Sequence, residues 1–264
     1  MLLQDQVVST YHVTKLDERG GIELTQLTND LYAKERFNMK DQDNAKKNAG
    51  EASVSLIENG MTVGLGTGST VYWMMRKLGE RVANGLEVQG IPSSRQTEAW
   101  ANEFGVPLTD FSQVKELDLA IDGADEVDQQ WQLIKGGGGA LVREKIIAAA
   151  ARKFVVIVDD SKTVTQLGAF PLPVEILPFG WEMTTARIVE LGVTPVIRRN
   201  DANDIFVSDN SNYIVDCRFG SITDPKTLHQ QLKQLTGVVD TGLFVDMSDK
   251  VIIGHPDRTE TLSE

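Results

Sequence analysis

The sequence has little of what a disulfide, a metal site or a membrane span requires. It contains one cysteine, Cys217, and three histidines, His12, His229 and His255, which lie far apart. A single cysteine excludes an intramolecular disulfide, and the scattered histidines show no ligand spacing, so we expect no metal site. No run approaches the roughly 18 uncharged apolar residues of a membrane helix. The first residues also lack the basic-then-apolar order of a secretory signal, so we expect a cytoplasmic protein without membrane contacts.

Positive charge is scarce as well. The chain has 26 Lys and Arg against 38 Asp and Glu, a formal net charge of -12. This balance disfavours nonspecific attraction to phosphates of nucleic acids, so we expect no nucleic-acid partner. An anionic ligand would need local donors. The remaining composition, with 41% hydrophobic residues in 264, is ordinary for a globular protein with one large domain and room for a smaller one.

Short apolar runs alternate with helical stretches from Met61 onwards, after a predicted helix that begins at Met39 and ends at Gly60. This alternation indicates an α/β fold with an open, mostly parallel, Rossmann-like sheet flanked by helices. The predicted strands are Thr62 to Leu65, Leu86 to Ile91, Leu117 to Ile121 and Phe154 to Val158. Because the carboxyl ends of such strands line the ligand crevice, the residues that follow them are candidates for function.

The pattern changes near Gly168 and predicts a smaller inserted α+β domain over residues 168–238. It starts with the extended FPLPVEILPFG, continues with a helix at WEMTTARIVELG and strands at PVIRRN, DIFVSD and NYIVDCRF, and ends with a helix from Pro225 to Leu235. The main catalytic domain then comprises residues 39–167 and 239–264. Residues 1–38 are predicted to be an N-terminal extension of unknown role.

The first candidate loop is TVGLGTGST, where a strand opens into Thr67, Gly68, Ser69 and Thr70 before a helix. Backbone N–H groups at a helix start suit a phosphate or carboxylate, although a tight structural turn without ligand fits the same residues. Ser69 breaks the G-x-G-x-x-G pattern of dinucleotide-binding folds, and no Gly-Lys pair forms a Walker loop.

The second candidate is LAIDGADEVD, which places Asp122, Asp125 and Glu126 around Gly123 and Ala124 at a strand end. Crowded carboxylates repel unless a cation, a substrate hydroxyl or a shared proton relieves them, so such clusters are enriched where protons are transferred. A solvated turn, with Asp125 as a helix cap, is the alternative.

The third candidate joins Lys135, four glycines and a long helix in IKGGGGALVREKIIAAAARK. Ordering four glycines costs much backbone entropy, which favours a close approach of N–H groups to a ligand. Positions 140, 141, 144, 147, 148 and 151 share one helical face, and Glu144 is the only acid on this apolar stripe. Burial would raise its pKa towards the range of a general base. An intrahelical salt bridge or a favourable place at the helix N-terminus would also explain this residue.

Lysines at two further places could meet a phosphate. Lys162 follows a buried strand in VVIVDDSKTV, and Lys46 lies beside Lys47 on the first helix. Solvent-facing side chains remain the alternative for each of them.

Together, GTGST, DGADE, KGGGGA with its REK, DDSK and FPLPVE occur in an order and spacing that resembles ribose-5-phosphate isomerases of the A type. The resemblance runs from about Met39 to the C-terminus. It implies interconversion of D-ribose 5-phosphate and D-ribulose 5-phosphate through a cis-enediolate, without metal or coenzyme, in the non-oxidative pentose phosphate pathway. It also implies a homodimer or homotetramer.

The resemblance further implies residue roles. Glu144 matches the base that carries a proton between C1 and C2, and Asp122 matches the acid that assists ring opening. Asp125 and Lys135 match a coupled pair at the reactive oxygens. The expected oxyanion contacts are Thr67 and the N–H groups of Gly136, Gly137 and Gly138. The expected phosphate contacts are Ser69, Thr70, Lys162 and Lys46, with Gly68, Gly123 and Ala124 completing the substrate site.

Two other functions fit part of the pattern. A noncatalytic sugar-phosphate sensor could share the fold but would need a DNA-binding module, and the acidic, short leader does not supply one. A nicotinamide-dependent dehydrogenase is disfavoured by the broken glycine pattern.

Overall fold

The computed structural model describes residues 39–263. The protein consists of two units, Met1–Lys40 and Asp41–Glu264, and the second unit holds all the strands described below. The predicted N-terminal extension, residues 1–38, lies outside the described residues. Between residues 39 and 263, no helix has the length and apolar character needed to cross a membrane.

Helices and strands alternate through the first half of the described range. The helices are α1 (39–53), α2 (Ser69–Ala83), α3 (Arg95–Phe104), α4 (Leu141–Ala150), α5 (Trp181–Val189) and α6 (Pro225–Lys233). The strands are β1 (Thr62–Leu65), β2 (Gln89–Pro92), β3 (Leu119–Asp122), β4 (Glu126–Val127), β5 (Leu133–Ile134), β6 (Phe154–Asp159), β7 (Leu172–Ile176), β8 (Pro195–Ile197), β9 (Tyr213–Cys217), β10 (Val238–Thr241), β11 (Leu243–Phe244), β12 (Lys250–Gly254) and β13 (Thr259–Ser263).

The main sheet has six strands in the order β13-β12-β6-β3-β1-β2. Every neighbouring pair is parallel except β12 and β13, so the predicted open, mostly parallel sheet with flanking helices is confirmed. Strand β1 has its predicted bounds, whereas β2 and β3 begin later than predicted. The first helix ends at residue 53, before Gly60, and a 3-10 turn follows at Val54–Leu56.

Both faces of this sheet are covered, which explains why its strands are apolar throughout. All six residues of β6 are buried, and the first five enter opposite cores in alternation. On one face, Val155 belongs to the core that contains Met74 and Leu78 of α2. On the other face, Val156 packs in the core that contains Ile147 of α4. The helix α4 is thereby fixed over the sheet, with its N-terminal end towards the strand ends that form the site.

A second, antiparallel sheet has the order β10-β7-β9-β8 and packs with α5 and α6 around a third core. A third, small sheet has the order β11-β5-β4 and contributes side chains to the cores of both larger sheets. The predicted strand at DIFVSD is wrong, because this segment forms only single bridges, Arg199 with Ile205 and Val207 with Tyr213. The predicted division into a main domain and an inserted domain over 168–238 stays a prediction.

Candidate active site

Three adjacent strands of the main sheet end side by side. Strands β6, β3 and β1 are neighbours, and their carboxyl ends supply Asp159, Asp122 and the Gly66-Thr67 turn. Parallel strands present their carboxyl ends at the same edge, so these polar residues meet without any distortion of the sheet.

A cavity of about 140 Å³ opens at this edge. Its lining contains every predicted site residue except Asp122, and it adds Asp159, which was not predicted. The lining residues are Lys46, Thr67, Gly68, Ser69, Thr70, Gly123, Ala124, Asp125, Lys135, Gly136, Gly137, Gly138, Glu144, Asp159 and Lys162.

The Lys135 ammonium is the centre of the site. Its Nζ lies 3.0 Å from Asp122 Oδ2 and 3.2 Å from Glu144 Oε1, and it also donates to the Gly123 carbonyl. Only 2% of the Lys135 residue is exposed, and both acids are buried as well. Two buried acids thus share one buried cation.

Asp122 is held on both oxygens. Its Oδ1 accepts hydrogen bonds from the N–H groups of Thr67, at 2.9 Å, and Gly123, at 2.7 Å, while Oδ2 faces Lys135. Gly66 makes this arrangement possible, because a Cβ built there would lie 2.1 Å from Asp122 Oδ1. The carboxylate is therefore fixed beneath Lys135, and its predicted role in ring opening stays a prediction.

Glu144 has one oxygen paired and one free of partners. It lies in the first turn of α4, and its Oε2 is buried without a hydrogen-bond partner among the described residues. Burial, and next the charge of Asp122, raise the pKa of Glu144 to about 8, although Lys135 opposes this shift. Burial also lowers the pKa of Lys135, but Asp122 and Glu144 together outweigh it and raise that pKa overall. Lys135 therefore stays charged, while Glu144 can exchange a proton near neutral pH.

One N–H group of the glycine loop, residues 136–139, is already bound by an acid of the site. Asp125 Oδ2 accepts the Gly137 N–H at 2.7 Å, while Lys135 contacts Asp122 and Glu144. The expected coupling of Asp125 and Lys135 at the reactive oxygens of the substrate stays a prediction. The alternative of Asp125 as a helix cap is wrong, since the short strand β4 follows it. Within residues 39–263, the N–H groups of Gly136 and Gly138 have no partner.

The opposite end of the cavity suits a phosphate. Helix α2 starts at Ser69 after Gly68, which offers no capping side chain, so the first N–H groups of the helix are open to an anion. Lys46 and Lys162 line the same cavity. Lys47, by contrast, faces away, with its Nζ 5.7 Å from the Trp73 ring centroid.

Sequence reasoning missed a group of hydroxyls behind Thr67. Thr67 Oγ1 lies 2.7 Å from Ser93 Oγ, 2.8 Å from Ser94 Oγ and 3.1 Å from Thr97 Oγ1. Ser94 also caps α3 by accepting the Thr97 N–H. These residues follow β2, so their position after a strand was the available signal. Asp159 was missed too, although it also stands at the end of an apolar run. Its buried Oδ2 has no partner among the described residues.

Comparisons with known proteins agree on one family. Residues 89–258 match the family model of ribose 5-phosphate isomerase A, also called phosphoriboisomerase A. The chain is 56% identical over 221 residues to ribose-5-phosphate isomerase A 1 of Oceanobacillus iheyensis, covering 83% of this chain and 98% of that protein. Its structure is similar to that of ribose 5-phosphate isomerase A from Methanocaldococcus jannaschii, with a TM-score of 0.81, 37% identity, and coverage of 84% and 100%. It is also similar to a D-ribose-5-phosphate isomerase in complex with phospho-erythronic acid, with a TM-score of 0.81, 36% identity, and coverage of 83% and 98%.

Proposed function

The chain belongs to the ribose 5-phosphate isomerase A family, and we propose that its cavity binds the linear form of D-ribose 5-phosphate and converts it to D-ribulose 5-phosphate. The observation that carries the assignment of roles is the buried Glu144, which has one oxygen on Lys135 and the other without a partner in residues 39–263. An aldose–ketose isomerase needs one group that accepts a proton from one carbon and returns it to the neighbouring carbon. Glu144 is suited to both steps because its pKa, raised to about 8, lies near the working pH.

In the forward direction, Glu144 removes the C2 proton, the electrons of that bond form the C1–C2 double bond, and O1 becomes an oxyanion. Protonated Glu144 then returns the proton to C1, while the O2–H bond breaks and C2=O forms. The proton that leaves O2 is taken up by the O1 oxyanion, and Asp125, on the cavity wall, is the carboxylate that we propose for this transfer. The result is a cis-enediolate route in which every proton lost by one atom is gained by another.

The negative charge that develops on O1 needs preorganised donors. The Lys135 ammonium and the N–H groups of Gly136 and Gly138 are the donors that we propose, since the Gly137 N–H is already engaged by Asp125. Asp122 holds Lys135 in place and keeps it charged. At the other end, Lys46, Lys162 and the start of α2 bind the phosphate.

The finer features expected from the sequence belong to the same proposal. These are a place in the non-oxidative pentose phosphate pathway, a cytoplasmic location, and a homodimer or homotetramer. Light scattering on the purified protein tests the last of these directly.

The experiment follows isomerisation in deuterated water, in the presence of a strong chelator. An enediolate route through a carboxylate places some deuterium at C1 of the ketose, whereas a direct hydride shift places none. The Glu144→Gln variant keeps shape and volume but lacks the acceptor, so its turnover should fall by roughly 10² to 10⁴ while its melting transition persists. Near-wild-type turnover in this variant, or loss of activity that a divalent metal restores, would refute the proposed roles.

A further inference from the structure

A side chain from the second sheet holds the outside of the glycine loop. Arg198 directly follows β8, and its Nη1 donates to the carbonyl oxygens of Gly136, at 2.8 Å, and Gly137, at 3.1 Å. Both glycines line the cavity on their other side. Arg198 itself does not line the cavity, so any effect on the reaction must act through the loop.

Asp216 fixes the plane of this guanidinium. Its Oδ2 accepts from Arg198 Nε at 3.0 Å, and its Oδ1 accepts from Nη2 at 2.5 Å. Asp216 lies on β9, opposite Val196 of β8. Two parallel hydrogen bonds determine both the position and the orientation of an arginine, which a single contact does not do. Nη1 is thereby presented to the loop at a fixed angle.

The direction of two N–H groups follows from this clamp. In a trans peptide, the C=O of one residue and the N–H of the next point to opposite sides. Because the Gly136 carbonyl points to Arg198, the Gly137 N–H points the other way, where it meets Asp125. Because the Gly137 carbonyl also points to Arg198, the Gly138 N–H is turned away from it, towards the cavity that Gly138 lines.

The loop needs such an external contact because glycines rotate their peptide planes at little steric cost. Phe206, from the segment that follows β8 and contains Arg198, packs against the glycine loop at Gly139. A Cβ built at Gly139 would lie 2.5 Å from Phe206 Cζ. The Arg198 guanidinium carbon lies 5.9 Å from the centroid of that ring. One segment therefore fixes the loop at both ends.

We propose that Arg198, oriented by Asp216, is a positioning residue that turns the Gly138 N–H towards the oxyanion formed in the reaction. This inference rests on the proposed function, because it assigns the loop to the enediolate oxygen. It predicts a defect in stabilising the developing charge, with phosphate binding left intact.

The test compares Arg198→Met and Asp216→Asn with the control Arg199→Met. Arg199 is exposed and donates to the Asn203 carbonyl of its own turn, away from the glycine loop. We expect kcat to fall by roughly 10- to 100-fold in Arg198→Met and by less in Asp216→Asn, with KM within about threefold of wild type. Affinity for 4-phosphoerythronate, whose carboxylate mimics the enediolate, should fall along with kcat/KM. Affinity for inorganic phosphate should stay unchanged, and the control should match wild type throughout.

Wild-type kcat in both variants would overturn the proposal, as would an equal loss of affinity for inorganic phosphate and 4-phosphoerythronate. If Arg198→Met does not fold, Asp216→Asn decides the question by the same two affinities, and unchanged affinities there count against the proposal. The binding measurements need no turnover. If the wild-type protein lacks isomerase activity, the proposed function is wrong. The role of Arg198 is tested separately, by the two affinities.

Discussion

The titratable groups of Glu144, Lys135 and Asp122 are buried together, with Lys135 in contact with both acids. The balance of their charges determines how the site responds to pH. Two carboxylates and one ammonium would leave an unpaired negative charge in a dry environment, which is costly. A proton on Glu144 removes that charge. Asp122 accepts hydrogen bonds on Oδ1 and faces Lys135 with Oδ2, whereas Glu144 has an oxygen without a partner among the described residues, so the proton resides on Glu144.

This balance predicts that activity rises with pH. The base is inactive while protonated, and since burial raises the pKa of Glu144 to about 8, kcat/KM should increase through that value. The profile should be measured from about pH 6.5 upwards, because the substrate phosphate titrates near pH 6. The residual activity of Glu144→Gln should lack this rise. A wild-type kcat/KM that is constant or falls between pH 7 and 9 would contradict the assignment.

Two neighbouring lysines offer a matched test of the phosphate end. Lys46 lines the cavity, whereas Lys47 faces Trp73. Lys47 also lies 3.9 Å from Glu51, in an exposed ion pair that contributes about 0.3–0.5 kcal/mol at most to stability. We expect Lys46→Met and Lys162→Met each to raise KM about tenfold, with kcat within about threefold, because the phosphate contact exists in both ground and transition states. Lys47→Met should leave both constants unchanged. If Lys46→Met and Lys47→Met behave alike in initial-rate kinetics, Lys46 is not a phosphate ligand.

At the scale of elements, β1 and the turn that follows it depend on two glycines, Gly64 in the strand and Gly66 in the turn. Gly64 and Gly66 lie two residues apart, yet they face different neighbours. A Cβ on Gly64 would lie 2.3 Å from Ile147 Cγ2 of α4, and one on Gly66 would lie 2.1 Å from Asp122 Oδ1. The first contact is packing of a helix on the sheet, and the second is the support of Lys135.

The contrast predicts different defects for the two alanine variants. Gly66→Ala should displace Asp122 and lower kcat by roughly 10²-fold or more, since small misplacements of catalytic groups have effects of that size. Gly64→Ala should overpack the core and reduce the free energy of unfolding by about 1–3 kcal/mol, which lowers the melting temperature. The loss of kcat in the folded fraction should be smaller than in Gly66→Ala. Thermal melts and kcat measured on the same preparations separate these effects. Equal kcat losses in both variants would show that β1 and its turn respond only as one unit.

The sequence predicts the main sheet well, because a parallel sheet covered on both faces leaves continuous apolar runs with polar residues at their ends. It also predicts Glu144, whose charge interrupts an apolar stripe. Arg198 was not predictable, since its contacts to the glycine loop depend on how β8 packs, some 60 positions further along the chain. The strand expected at DIFVSD fails for a related reason. Phe206 turns to Gly139, and Ser208 donates to the buried Glu175, so tertiary contacts outweigh the local pattern.

At the scale of the whole molecule, a protein of net charge -12 binds an anionic sugar phosphate only if local charges outweigh distant ones. Exposed acids beyond about 8 Å are largely screened at physiological ionic strength. Lys46, Lys135 and Lys162 border the cavity itself, where screening is weaker. The field that the substrate experiences is therefore set by groups at the cavity itself, which are these three lysines, the start of α2 and the neighbouring carboxylates of Asp122, Asp125, Glu144 and Asp159.

Every residue that lines the cavity lies between positions 46 and 162, and the family match lies within residues 89–258. A shortened protein that begins at Met39 keeps all of these residues and the six-stranded sheet that positions them. We therefore expect it to fold and to isomerise ribose 5-phosphate with kcat and KM within about twofold of the full-length protein. The two proteins should be purified in parallel and compared by initial rates, thermal melting and light scattering. An insoluble or inactive product would show that residues 1–38 take part in folding. A normal melting temperature with a raised KM would instead place part of that segment at the substrate, because only a contact with the ligand would change binding without changing the fold.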